Sequence, residues 1–108
     1  MAKGKGIRGA GGGMAGQIER LQEQLMQAQA ALAEETVEAS AGGGAVRVVM
    51  NGTQECKAVE IAPHLLAEGD AEMIQDLLMI AVNHAIAESR ELAAKRLGPL
   101  AGGMGLGG

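Results

Sequence analysis

Residues 46–61 read Val46-Arg47-Val48-Val49-Met50-Asn51-Gly52-Thr53-Gln54-Glu55-Cys56-Lys57-Ala58-Val59-Glu60-Ile61, and this stretch decides the fold. Val46, Val48 and Met50 alternate with Arg47, Val49 and Asn51, a period of two that gives a strand one apolar face. Cys56, Ala58 and Glu60 alternate with Lys57, Val59 and Ile61 in a second run. Asn51-Gly52 between them predicts a tight hairpin, because a type I′ turn needs positive φ at both central residues. Upstream, Val37, Ala39 and Ala41 alternate with Glu38 and Ser40, and Gly42-Gly43-Gly44 supplies a second turn. Three short strands and two tight turns predict an antiparallel meander, with Pro63 expected to stop the third strand.

Helical periods flank the meander. Met14, Ile18, Leu21, Leu25, Ala28 and Leu32 are spaced 4, 3, 4, 3, 4, a heptad seam within an expected helix over 14–34. At 1.5 Å per residue it reaches about 31 Å. The seam is narrow, as for packing against one neighbouring helix. On the other side, Asp70 is an expected N-cap for a long helix over 71–97, with Glu72 and Asp76 near its positive end. Met73, Ile74, Leu77, Leu78, Ile80, Ala81, Val82, Ala85 and Ile86 give it a broad apolar face to cover the sheet. Gly98-Pro99 is expected to end it. The predicted fold class is α+β: α-β-β-β-α, a three-stranded antiparallel sheet between long N- and C-terminal helices. Residues 1–13 and 98–108 hold twelve of the eighteen glycines and are expected to be a flexible basic arm and a flexible tail around a domain at 14–97.

The composition narrows the function. The 108 residues include no Phe, Tyr or Trp, so base stacking on aromatic rings is excluded. One cysteine, Cys56, and two histidines, His64 and His84, match no disulfide or zinc pattern, and no metal or cofactor is expected. No run approaches the ~18 apolar residues of a membrane span, and the basic start has no apolar h-region, so a cytoplasmic protein is expected. Gly4-x-Gly6-x-x-Gly9, Gly11-x-Gly13-x-x-Gly16 and Gly103-x-Gly105-x-x-Gly108 match the dinucleotide fingerprint literally. None follows a strand, so glycine richness alone explains them. Ser40 and Ser89 have no base partner in sequence, and no catalytic residue or small-molecule substrate is expected. A small core without aromatic residues, beside an uncovered seam, points to a homodimer sealed by Met14, Ile18, Leu21, Leu25 and Leu32.

With these residues in view, the chain resembles the YbaB/EbfC family of bacterial nucleoid-associated proteins. The match lies in Val48-Val49-Met50-Asn51-Gly52, in Cys56 through Pro63, and in Leu65-Leu66. It continues through Met73-Ile74-Gln75-Asp76-Leu77-Leu78, Ala81-Val82-Asn83-His84-Ala85 and the Gly103–Leu106 tail. It covers roughly residues 14–106. The resemblance implies an intertwined homodimer whose paired helices project like tweezers. It also implies binding to double-stranded DNA with modest sequence preference, a change in DNA conformation, a place on the nucleoid, and neither catalysis nor cofactor. Family genes often sit beside those of a clamp-loader subunit and a recombination mediator, so replication or recombination proteins are implied partners.

Duplex affinity comes largely from neutralised phosphates. The net charge here is −4. Family members often carry several lysines in the first helix, whereas this one has Arg20 alone beside Glu19, Glu23, Glu34 and Glu35. Three features are the candidate DNA contacts. Lys3, Lys5 and Arg8 form a terminal arm free of acids, suited to a phosphate backbone or minor groove. Gln17, Arg20, Gln24 and Gln27, spaced 3, 4, 3, share one face of the first helix and can donate to phosphates and base edges. Arg90, Lys95 and Arg96 lie near the end of the second long helix on different stripes, where the helix dipole also favours cations. Glu91 and Lys95 are spaced to pair with each other. The acidic balance motivates an alternative function: a dimeric protein–protein adaptor linked to DNA replication or recombination, with weak DNA binding of its own.

Overall fold

A computed structural model describes the backbone of residues 2–103 and the side chains of residues 14–100. The order is α1 (Ala2–Glu34), β1 (Thr36–Ala41), β2 (Val46–Asn51), β3 (Cys56–Ile61), α2 (Pro63–Glu68) and α3 (Ala71–Gly103). The sheet is antiparallel with strand order β1-β2-β3. The α+β class and the α-β-β-β-α pattern therefore hold, with a six-residue helix added between β3 and the last helix.

Period-two alternation in β2 places Val46, Val48 and Met50 in the core, all buried. Their register partners are Ala41, Ala39 and Val37 on β1 and Ile61, Val59 and Cys56 on β3. α3 lies over this face. Ala81, Ala85 and Ser89 recur every four residues and are fully buried, so small side chains let the helix approach the strands closely. Met73, Ile74, Leu77, Leu78, Val82 and Ile86 pack around them. Ile80, expected on the covered face, is exposed, as are Met79 and Val59. The helix crosses β1 and β2; on β3 only Ile61 packs against the core, while Val59 and Cys56 stay exposed.

Several boundaries differ from the sequence reading. Pro63 opens α2 at its first turn, where a missing N–H costs nothing, and Gly69 closes it in the left-handed region at φ 72. Asp70 caps α3 as expected, its carboxylate accepting from the Met73 N–H at 3.0 Å. α3 does not stop at Leu97: it continues through Gly98 and Pro99 to Gly103. Proline this close to a helix end forfeits one backbone bond, and Leu97 and Leu100 are half-buried, so packing offsets the loss. The Gly42-Gly43-Gly44 turn is present, with φ of 65, 70 and 92.

The Asn51-Gly52 turn forms, but by another route than type I′. Neither residue has positive φ; the left-handed residue is Gln54, at φ 62. Gln54 N–H donates to Asn51 C=O at 3.2 Å, Asn51 N–H donates to Glu55 C=O at 2.9 Å, and the β2–β3 register shifts by a bulge between Val49 and Met50. Gly52 is required for space. A Cβ there would stand 2.6 Å from Leu32 Cδ2, and 2.9 Å from both Leu32 Cβ and Leu32 O.

On the outer sheet face Arg47 bridges Glu38 of β1 and Glu60 of β3. The Arg47 hydrogen bond holds the Glu60 carboxyl below its ordinary value of 4.5. Asn51 and Lys57 do the same for Glu55. A depressed carboxyl stabilises the folded state above its ordinary pKa and ceases to do so as pH falls through the lowered value. Thermal melts should therefore be level from pH 7 to 5 and decline below about 4.5. Glu60→Gln should make that decline shallower, and the change is small because these groups are exposed.

Candidate nucleic-acid interface

α1 extends away from the sheet once it has passed Leu32. Leu32 is buried in its own chain against Gly52, although its spacing reads as seam for a second copy. Leu21, Leu25 and Ala28 are half-buried, while Met14 (69%), Ile18 (54%) and Met26 (69%) stand open to solvent. The end of α3 runs beside the middle of α1. Between them lies an open cleft of about 610 Å³, lined by Gln17, Ile18, Arg20, Leu21 and Gln24 from α1 and by Pro99 and Leu100 from α3. Three of the four residues of the Gln/Arg stripe thus meet in one groove; Gln27 lies outside its lining. The α1 wall mixes Gln17, Gln24 and the Arg20 guanidinium with Ile18 and Leu21, and the other wall is a proline and a leucine.

The candidate cations differ in their pairing. Six have described side chains: Arg20, Arg47, Lys57, Arg90, Lys95 and Arg96. Arg47 is held by two carboxylates, Lys57 lies 3.8 Å from Glu55, and Lys95 lies 3.6 Å from Glu91, the pair its spacing predicts. Arg96 engages both carboxylate oxygens of Glu35, the Nε donating at 3.2 Å. That leaves Arg20 and Arg90, among the described residues, with no carboxylate within 4.0 Å. Lys95 instead borders a smaller groove of about 240 Å³ with Val37, Glu88, Glu91 and Leu92. Arg90 and Arg96 line neither groove. The side chains of Lys3, Lys5 and Arg8 lie outside the described residues.

A buried polar cluster joins the elements that carry these cations. Asn51, fully buried, donates through Nδ2 to Ala33 C=O at 3.0 Å and to Glu55 Oε1 at 2.8 Å. Its Oδ1 accepts from Thr53 N–H at 3.1 Å and Glu55 N–H at 2.8 Å. Ser89, also fully buried, donates from Oγ to Asn51 C=O at 2.6 Å and accepts from Gln54 Nε2 at 2.9 Å. Gly52 N–H reaches Leu32 C=O at 2.8 Å and Glu35 C=O at 3.1 Å. Sequence reasoning read Asn51 as a turn residue and gave Ser89 no role. The signal available was the Ala81, Ala85, Ser89 spacing, which continues a buried stripe with a hydroxyl.

Among the described residues, no three His, Cys, Asp or Glu side chains gather as metal ligands, and no helix is long and apolar enough to cross a membrane.

Comparison with known proteins gives this geometry its context. An uncharacterised protein of Helicobacter pylori, HP0035, has a crystal structure that superposes with a TM-score of 0.65 at 25% identity, covering 84% of this chain and 91% of that one. A protein of Alkaliphilus metalliredigens is 43% identical over all of this chain and 98% of its own length. A Nocardia farcinica protein is 47% identical over 81% of this chain and 79% of its own, and one from Mycolicibacterium vanbaalenii is 49% identical over 82% and 81%. Each of these three bears the name nucleoid-associated protein. The YbaB/EbfC DNA-binding family model matches residues 8–104, from the basic terminus through both arms of the cleft. By that match and by these relatives, the chain belongs to the YbaB/EbfC DNA-binding family.

Proposed function

We propose that this protein binds double-stranded DNA as a homodimer on the cytoplasmic nucleoid and alters the path of the duplex, mainly through phosphate contacts. The observation that carries the reading is Arg20: it is free of carboxylates and set with Gln17 and Gln24 in the groove between α1 and the end of α3. A cation with no internal counter-ion loses no ion pair on meeting a phosphate, and glutamine amides beside it donate without adding charge. Lys3, Lys5, Arg8 and Arg90 extend the contact, and Gln27, Lys95 and Arg96 flank it. The exposed Met14, Ile18 and Met26 of α1, with Val59 on β3, Leu66 on α2 and Met79 and Ile80 on α3, supply the apolar surface a second copy would cover.

The test is a gel shift with purified protein on random duplex, read beside sedimentation velocity. The reading expects a dimer whose retardation weakens when residues 1–13 are deleted. A folded monomer at micromolar concentration, or binding indifferent to the deletion, contradicts the corresponding part.

Arg96 gives a second measurable expectation. Bound to Glu35, it must exchange one anion for another before it can meet a phosphate. Glu35→Gln should release it and raise duplex affinity several-fold, steepening the salt dependence by about 0.9 for each phosphate gained. Glu34→Gln makes the same charge change on an exposed neighbour and should raise affinity less, with the slope unaltered. Equal effects from the two variants would show that only net charge matters.

The adaptor reading draws on a different observation: four of the six described cations already hold carboxylates. It expects a stoichiometric protein partner, of the replication or recombination machinery, retained after nuclease treatment, and no duplex binding by the purified chain at physiological salt.

A further inference from the structure

We propose that the Asn51–Gln54–Ser89 cluster is the joint that sets the spread between the two helical arms, and that these residues thereby position the DNA-gripping cations without touching DNA. The inference rests on the reading of the arms as DNA contacts.

α1 is held at the hairpin between β2 and β3. Its last turn and the next residue, Glu35, meet the hairpin through Ala33 C=O on Asn51 Nδ2, and through Leu32 and Glu35 C=O on Gly52 N–H. The same hairpin meets α3 through Ser89 Oγ on Asn51 C=O and Gln54 Nε2 on Ser89 Oγ. One four-residue connection between β2 and β3 therefore carries hydrogen bonds to both arms. Leu32 against Gly52 fills the apolar side of this joint. Toward its N-terminus, α1 passes at once to half-buried and exposed residues.

Twelve residues separate Leu32 from Arg20. They make a lever of about 18 Å, so a tilt of roughly 10° at the joint moves Arg20 by about 3 Å. A displacement of that size takes a donor out of hydrogen-bond range of a phosphate oxygen. The geometry of the joint also limits the alternatives. Gln54 occupies the left-handed region, at φ 62, a strained position for a residue other than glycine, and its amide donates to Ser89 Oγ at 2.9 Å and to Gly52 C=O at 3.3 Å. No buried side-chain polar atom among the described residues lacks a partner, so displacing a member of the cluster leaves a buried group unpaired. The Glu35–Arg96 pair crosses the same junction at the surface, where solvent weakens it.

The experiment measures arm spread and grip in the same proteins. Nitroxide labels at positions 22 and 94, in a Cys56→Ser background of the full chain and diluted with unlabelled protein, report the α1–α3 distance by pulsed electron resonance. Ser89→Ala should broaden the distance distribution and lower duplex affinity about tenfold, with the salt slope unchanged because no cation is lost. Gln54→Gly cuts the amide's bonds to Ser89 and to Gly52 C=O while relieving the positive φ. It therefore stays folded, and it should broaden the distribution to a lesser degree. Unbroadened distances in both Ser89→Ala and Gln54→Gly would overturn the joint. Broadened distances with undiminished affinity would overturn its link to grip. If the unmutated chain binds no duplex, the DNA reading fails, while the distance measurement still decides whether the cluster sets the arms.

Discussion

Replacing Gly52 with alanine is expected to lower the stability of the fold by about 3 kcal/mol, the upper part of the usual range for overpacking. The added methyl would stand 2.6–2.9 Å from three atoms of Leu32. Two of these, Cβ and the backbone oxygen, cannot swing aside. Relief therefore requires the end of α1 to move off the hairpin, which breaks the Gly52 N–H bonds to Leu32 and Glu35 and exposes the buried Leu32 side chain. The measurement is urea denaturation at one fixed protein concentration, since the proposed dimer would make the midpoint depend on it. Leu32→Ala alone should cost about 2–5 kcal/mol as a large-to-small core change. It removes only the Cδ2 contact, so the double variant should show little rescue. Full rescue by Leu32→Ala would mean that side-chain crowding alone, and not close approach of the α1 backbone, makes glycine necessary.

The second large effect falls on binding. Arg20→Glu should weaken duplex affinity at low salt by more than the roughly tenfold expected of Arg20→Gln, and alike on all duplex sequences, because a phosphate contact carries no base information. The glutamine variant removes the guanidinium from the groove; the glutamate variant also places an anion where the DNA backbone would lie. Stability should change little in either, since Arg20 is exposed and holds no carboxylate. Lys57→Gln, on β3 and away from the groove, is the matched charge control and should leave affinity near that of the unmutated chain. If it weakens binding as much as Arg20→Gln, the groove is not the contact and the field of the whole molecule is.

Much of this architecture is legible in residue spacing. Alternation in Val46–Met50 identifies the buried face of β2, and Asp70 announces the start of α3 through its cap. The Gln17, Arg20, Gln24 spacing puts those three residues on one face, and they do share the cleft. What escapes is set by tertiary contact. Pro99 reads as a stop, yet Leu97 and Leu100 pack the continued helix, so the second wall of the cleft is invisible in sequence. Gly52 reads as a turn glycine, while its role is to admit Leu32, twenty residues earlier in the chain. Pro63 ends a strand and, in the same position, begins a helix too short for periodicity to reveal. Glu91–Lys95 follows from an i, i+4 spacing. Glu35–Arg96 joins residues 61 apart, and no local rule reaches it.

The central claim is that cations on these arms bind DNA by displacing its counter-ions. The most direct measurement is equilibrium binding of the full chain to a random duplex across a salt series, plotted as log affinity against log salt. The account predicts a steep negative slope, about −0.9 for each phosphate neutralised, which becomes shallower by about one unit for each arm that loses Arg20. A flat plot, or a slope that Arg20→Gln leaves untouched, would contradict it.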